Sequence, residues 1–156
     1  MRCGGHCCDE AHPPISDSCY HRLTAAGVSP DCFEYAGYRR LKVHPDGTCI
    51  MMQDGKCTIH AIKPETCRAG PFTFDVLDGQ LEIFLKYESI CPIVGLLKKT
   101  PAAYDQQYEQ AIKNITHLAA NLPASELEII SRIEEPETEK VAEIPMKDIG
   151  SYDNRH

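Results

Sequence analysis

Cysteine is the residue type most able to do chemistry in this 156-residue chain, which contains nine of them. One group opens the chain in the run C-G-G-H-C-C, and a second group follows at wider spacing. Thiolates are soft ligands that favour zinc and iron–sulfur clusters. These groups comprise Cys3, Cys7, Cys8, Cys49, Cys57, Cys67 and Cys91, and the sequence therefore predicts a chain built around metal. Seven sulfurs exceed the four that one tetrahedral zinc or one cubane cluster needs. Whether the chain has one metal site or two therefore stays open.

The spacing Cys49-x7-Cys57 raises a geometric question. If Asp54-Gly55 is a two-residue hairpin turn, Met52 lies opposite Cys57 and Cys49 lies opposite His60. Side chains alternate between the two faces of a strand, so the two sulfurs would then point to opposite faces. Either the strand is irregular, or the two cysteines serve different sites.

Cys67 lies in the run K-P-E-T-C-R, where Pro64 and the next two residues suggest a tight turn. The positive charge of Arg68 beside a thiol would lower the thiol pKa. This pattern carries the alternative function, a thiol-based redox enzyme in which Cys67 reacts and a structural metal lies nearby. The sequence has none of the usual catalytic signatures, so no catalytic residue is assigned.

The remaining cysteines and the histidines are weaker candidates. Cys19 and Cys32 stand alone, and a lone cysteine is commonly a small buried apolar side chain. The C-x2-H spacing of Cys57 and His60 is typical of zinc ligands, while most histidines in such loops are polar bystanders. Whether His60 or His6 is a ligand stays open.

Composition favours one small domain in a reducing compartment. The chain is 42% apolar, contains no long apolar run and shows no secretory signal, so we expect a cytoplasmic protein that does not enter membranes. Clustered cysteines in the cytosol bind metal or catalyse more often than they form disulfides, and an odd number opposes a fully paired scaffold. The net charge of −7 disfavours nucleic acid as a partner. The expected partner is another protein or a redox partner.

The elements that would position the cysteines follow from local patterns. Residues 1 to about 20 are predicted to be irregular, and Ser29-Pro30-Asp31 predicts a helix that ends near residue 40. Two Asp-Gly turns predict small hairpins around Cys49 and Cys57. The strongest signal is Asp78-Gly79, which would pair Val76 with Leu81, Phe74 with Ile83 and Phe72 with Leu85 on one apolar face.

Helices are predicted towards the C-terminus. Apolar residues recur at helical spacing over 101–121, with Thr100 as a cap, and a shorter helix is expected over 123–133. The final stretch is acidic and interrupted by proline, which indicates a tail over 136–156 that is flexible or docks late in folding. These predictions describe an α+β fold: an irregular, cysteine-rich metal-binding domain over 1–135, with small hairpins, a cysteine motif over 3–91 and helices over 101–133.

The cysteine pattern resembles a known family. C-x3-C-C, then G-x-C-x7-C-x-I, P-x2-C-R-x2-P-F and a later cysteine are similar to the "CxxCxxCC" cysteine-cluster family, also called YkgJ-like, whose members are described as chelating zinc or iron. The most specific part is the run from Pro64 to Phe72. The family usually opens with C-x2-C-x2-C-C, so one ligand is missing here and His6 is a candidate replacement. The resemblance implies that the matched cysteines, which are Cys3, Cys7, Cys8, Cys49, Cys57, Cys67 and Cys91, bind a metal or cluster, and it supplies no reaction. The leading interpretation of the sequence is a protein that holds an iron–sulfur cluster or Zn2+ in electron transfer or in an accessory role.

Overall fold

A three-stranded antiparallel sheet carries the larger of two hydrophobic clusters. The computed structural model describes residues 12–131 and 138–149. Strands β5 (Phe72–Leu77) and β6 (Gln80–Lys86) form the predicted hairpin. Its register pairs Phe72 with Leu85, Phe74 with Ile83 and Val76 with Leu81, so the prediction is confirmed. The turn forms because Asp78 and Gly79 both adopt positive φ angles, 50° and 74°, as a type I′ turn requires.

The third strand, β7 (Thr138–Pro145), lies in the segment predicted to be a flexible tail. It pairs antiparallel with β6, with Leu81 opposite Ile144, and a register shift falls between Ile83 and Phe84. The flexible alternative is therefore wrong for residues 138–149, which dock on the domain as the other alternative predicted. Ile144 is buried, and β7 covers an edge of β6 that would otherwise be exposed. These contacts offset the acidic composition of β7.

Three helices contribute buried residues to the same hydrophobic cluster as this sheet. They are α3 (Ile93–Lys99), α4 (Pro101–Asn121) and α5 (Ala124–Ile130). The predicted helix over 101–121 is confirmed, and its apolar stripe is buried in the large cluster. The shorter helix begins at Ala124, one residue later than predicted, and ends at Ile130, three residues before the predicted end. Thr100 provides a backbone carbonyl for Tyr104, but its side chain makes no capping bond.

The N-terminal half begins with a helix where irregular chain was predicted. Helix α1 (Asp17–Ala25) starts because the Oγ of Ser16 accepts a hydrogen bond from the Cys19 amide at 3.3 Å. The preceding residues are extended and pair with the neighbouring hairpin, where the Ile15 amide donates to the Arg39 carbonyl at 2.9 Å. The prediction of irregular structure is thus wrong from residue 17 onward, and residues 1–11 lie outside the described chain.

The predicted helix over 30–40 is replaced by a hairpin. Ser29 caps only one 3-10 turn (Pro30–Cys32), after which β1 (Phe33–Tyr35) and β2 (Arg39–Leu41) pair antiparallel. Gly37 explains the difference, since its φ of +82° turns the chain back between the strands. A Cβ atom at Gly37 would also lie 2.7 Å from the Cδ1 of Ile129, so α5 packs directly against this turn.

The cysteine-bearing loop follows β2 and contains little regular structure. It holds β3 (Met52–Gln53), β4 (Lys56–Cys57), a 3-10 turn (His60–Ile62) and the single-turn helix α2 (Glu65–Arg68). The predicted turn at Asp46-Gly47 is present, with Gly47 at φ +90°. This loop, α1 and the β1–β2 hairpin enclose the second, smaller hydrophobic cluster, which we call the loop cluster.

Helices and small antiparallel sheets together make an α+β fold, as predicted. The loop cluster consists of Ile15, Cys19, Leu23, Phe33, Leu41, Cys49, Met51 and Ile59, with partly buried side chains around it. Within residues 12–131 and 138–149, no helix has both the length and the apolar character needed to cross a membrane.

Candidate metal centre

Three of the seven predicted ligands lie outside the described residues. Cys3, Cys7 and Cys8 belong to residues 1–11, as does the candidate ligand His6. Their role as ligands stays a prediction. The structure can be compared with the sequence for the other four, which are Cys49, Cys57, Cys67 and Cys91.

The two cysteines of the loop contact the same hydrophobic cluster. Met52 pairs with Cys57, as predicted, but the strand does not continue back to Cys49. A turn interrupts it, since the Met52 amide donates to the Cys49 carbonyl at 2.9 Å, and Cys49 instead forms an isolated bridge with Val43. Strand alternation therefore no longer separates the two sulfurs. Cys49 is buried in the loop cluster, and Cys57 packs against it half-buried.

His60 does not lie opposite Cys49 as the extended hairpin would require. It begins the 3-10 turn after Ile59, and its side chain is exposed. The structure thus places the candidate ligand on the outside of the loop. Its role as a ligand stays a prediction.

Cys67 lies on the single turn of α2, which is hydrogen-bonded to α4. The Arg68 amide donates to the Pro64 carbonyl at 3.0 Å, and the Gln107 side-chain amide donates to the Arg68 carbonyl at 3.1 Å. Gly70 follows with φ +65°, and its lack of a side chain makes room for Gln107. Cys67 is therefore held on a short helix of defined position. The alternative role of Cys67 as a reactive thiolate stays a prediction.

Cys91 lies in the turn that connects β6 to α3. Its amide donates to the Tyr87 carbonyl at 3.0 Å, and its own carbonyl accepts from the Val94 amide at 3.0 Å. The side chain is half-buried against the large cluster, whereas Cys49 and Cys57 contact the loop cluster. The predicted ligands that the structure describes thus do not all contact one hydrophobic cluster.

A polar cluster that the sequence did not indicate lies between α1 and α2. Arg22 reaches across from α1: its Nη2 lies 3.5 Å from the Cys19 sulfur and 3.4 Å from the carbonyls of Ile62 and Lys63. Its Nη1 lies 3.8 Å from an oxygen of Glu65, which is buried. Burial, and then the Glu65 carboxylate, raise the pKa of the Cys19 thiol to about 12. The sequence pattern suggested only a tight turn around Glu65, and nothing local reveals its burial.

The lone cysteines behave largely as predicted. Cys19 is fully buried in the loop cluster, and Cys32 packs against that cluster half-buried. Neither is part of a disulfide.

The described cysteines do not make a metal site by themselves. Among residues 12–131 and 138–149, no three side chains of histidine, cysteine, aspartate or glutamate come together closely enough to hold an ion.

A groove of about 410 Å3 lies between the start of α1, the β1–β2 hairpin and the connection from α4 to α5. Its polar side chains include Asp17, Arg39 and Glu126, and none of the cysteines that the structure describes lines it. Arg39 is already paired with Asp17 at 2.9 Å. The groove is therefore distinct from the cysteine-bearing loop.

Comparison with known proteins supports the metal chemistry of the first 92 residues. No curated protein and no solved structure matches the chain significantly. A family model described as "Putative zinc- or iron-chelating domain" matches residues 1–92, which is more than half of the chain and contains all seven predicted ligands. The predicted choice of zinc or iron as the bound metal agrees with that description. The chain belongs to the CxxCxxCC family of zinc- or iron-chelating domains.

Proposed function

We propose that the protein holds an iron–sulfur cluster or Zn2+ through thiolates of Cys3, Cys7, Cys8, Cys49, Cys57, Cys67 and Cys91. The observation that carries the proposal is the turn at Cys49, which brings Cys49 and Cys57 to one hydrophobic cluster instead of opposite strand faces. Membership of a chelating family over the same residues adds support.

The cysteine-bearing loop contains very little regular structure, as is typical of segments that a bound metal stabilises. Strands β3 and β4 contain two residues each, and α2 is a single turn. Such short elements contribute little stability of their own, so small domains often add a metal to a limited core. When bound, the metal would supply folding free energy, and an iron–sulfur cluster would also accept and donate an electron.

The proposed role is electron transfer or service as an accessory protein for a protein or redox partner. Cys91 lies beside exposed apolar side chains, since Tyr87 and Ile90 are 46% and 45% exposed in the turn that contains it. A cluster near such a surface would be accessible to a partner protein. The chemistry of the metal decides between the two roles, because zinc has no redox chemistry.

The test is the metal and acid-labile sulfide content of protein purified without oxygen, for the wild type and for Cys67→Ala. The substitution should remove metal and lower the melting temperature, because structural metal binding contributes on the order of 10 kcal/mol in zinc-finger peptides. Cys32→Ala is the matched control and should retain both properties, since Cys32 is a lone cysteine outside the ligand set.

The result also identifies the role. Iron with matching sulfide and a brown colour would support electron transfer, and the reduction potential would be measured next. Zinc without sulfide would support a zinc-stabilised accessory module. Full metal content and an unchanged melting temperature in Cys67→Ala would contradict the proposal.

A further inference from the structure

The chain that leads into Cys67 is interrupted just before the turn that carries it. Lys63 is extended, with a ψ of 156°, because the following Pro64 disfavours a helical conformation there. The 3-10 turn before this point and α2 after it therefore do not join into one helix. Among the described residues, no side chain caps the start of either element. The carbonyls of Ile62 and Lys63 consequently need a donor from another part of the molecule.

Arg22 of α1 is that donor. Its Nη2 donates to the carbonyl oxygens of Ile62 and Lys63, each at 3.4 Å. Its Nη1 lies 3.8 Å from a carboxylate oxygen of Glu65, which is the first residue of α2 and has a side chain only 3% exposed. One guanidinium thus contacts the chain on both sides of the interruption, and its last contact is two residues before Cys67.

Arg22 is itself held against the loop cluster. Its neighbours on α1, Cys19 and Leu23, are fully buried in that cluster, and Nη2 lies 3.5 Å from the Cys19 sulfur. Burial, and then the Glu65 carboxylate, raise the pKa of the Cys19 thiol to about 12, so the thiol keeps its proton and is a hydrogen-bond partner of that carboxylate. These contacts join α1 to the beginning of α2.

A second contact holds the other end of α2. The side-chain amide of Gln107 on α4 donates to the carbonyl of Arg68, the residue after Cys67, at 3.1 Å. A single helical turn has little stability of its own, because its nucleation fixes several residues for one hydrogen bond. The position of Cys67 therefore depends on two helices that are distant in sequence, α1 through Arg22 and α4 through Gln107.

We infer that Arg22 is a positioning residue for Cys67, and that it holds the turn in the place where the Cys67 sulfur binds metal. A ligand that is already in place loses less conformational freedom when the ion binds, and this strengthens binding. Replacing side chains that support metal ligands in this way typically weakens metal affinity by about 10–100-fold. The inference rests on the proposed function, because it requires Cys67 to be a ligand.

The test is the Zn2+ affinity of the full-length, zinc-loaded protein, measured by competition with a chelator for the wild type and for Arg22→Met. Methionine keeps an unbranched apolar side chain and removes the donors, so we expect roughly tenfold weaker binding. Arg39→Met is the matched control and should bind Zn2+ as the wild type does. Arg39 contacts the start of the same helix through Asp17, and its side chain is 34% exposed compared with 36% for Arg22. Equal losses in the two variants would overturn the inference.

Hydrogen exchange of the zinc-loaded protein shows whether the loss originates in the turn. The amides of Arg68 and Ala69 bond to the carbonyls of α2 and of the residue before it, so they should exchange faster in Arg22→Met. The amides of the β5–β6 hairpin should exchange as in the wild type. Unchanged exchange over 65–69 would overturn the inference, as would an equal increase in the hairpin, which would indicate general destabilisation.

Arg22→Lys repeats both measurements if Arg22→Met does not fold. A single ammonium lacks the planar fork of donors that contacts two carbonyls and a carboxylate, so Zn2+ affinity should again fall below that of the wild type. Wild-type affinity and exchange in a folded Arg22→Lys would then overturn the inference.

Cys67→Ala separates this inference from the proposed function. If Cys67→Ala keeps all its metal, the proposed function is wrong and the inference is wrong with it. If Cys67→Ala loses metal while Arg22→Met binds Zn2+ as the wild type does, only the inference is wrong.

Discussion

Replacing Ile144 by alanine tests whether the acidic C-terminal segment is a folded part of the domain. Ile144 is 5% exposed in β7 and lies opposite Leu81, which is fully buried. The substitution removes three carbon atoms, which is about 2.4 kcal/mol of transfer free energy at about 0.8 kcal/mol for each. Cores in which neighbours cannot collapse lose more, up to about 5 kcal/mol. Because β7 is an edge strand whose neighbours can adjust, we expect a loss of about 2–3 kcal/mol.

The assay is urea unfolding of metal-loaded protein, with thermal unfolding as a second measurement. For a chain of this size the expected loss corresponds to a fall of about 4–12 °C in melting temperature. Leu77→Ala is the matched control: Leu77 is 56% exposed on the same sheet, and its substitution should change stability by no more than about 0.5 kcal/mol. Equal effects of the two substitutions would refute the reasoning and show that residues 138–145 do not hold Ile144 against the core.

Two further predictions concern α1 and α2. Gly70→Ala should destabilise the protein by about 1–2 kcal/mol for the left-handed backbone at φ +65°, plus about 1 kcal/mol for displacing Gln107, which would lie 2.9 Å from the new Cβ. Gly79→Ala isolates the first effect, since no atom lies within 4 Å there, and equal losses in urea unfolding would exclude the second. In metal-free protein at pH 8, iodoacetamide should leave Cys19 unmodified while the half-exposed Cys57 reacts, because a pKa of about 12 leaves about one part in ten thousand as thiolate. Mass mapping that finds equal rates for the two would contradict the observed burial.

Local chemistry was sufficient for the β5–β6 hairpin and for α4. Asp78 and Gly79 both tolerate positive φ, and the alternation of apolar residues on either side allows one register only. The apolar residues over Pro101–Asn121 likewise fall on one side only if the segment is a helix. Each of these signals lies within one short stretch of chain, so nothing distant was needed to interpret it.

Local signals misled at Ser29, where a good cap and Pro30 indicated a helix. The cap serves a single 3-10 turn, because Gly37 reverses the chain and the pairing of β1 with β2 satisfies the backbone instead. The local sequence was compatible with both the helix and the hairpin. In the folded protein, Ile129 of α5 packs against this turn, a contact with a distant segment that the local sequence does not reveal.

The cysteine pattern by itself determined the family and the zinc- or iron-chelating chemistry, because ligand type and spacing are properties of the sequence. Three features were decided only by the tertiary structure. β7 pairs with a strand more than fifty residues away, a turn brings Cys49 and Cys57 to one cluster, and Glu65 is buried beside Cys19. The pairing of β7, the packing of the cysteine-bearing loop on α1 and the β1–β2 hairpin, and the burial of Glu65 all join segments distant in sequence. The free energy of such contacts leaves no signal in the residues around any one of them.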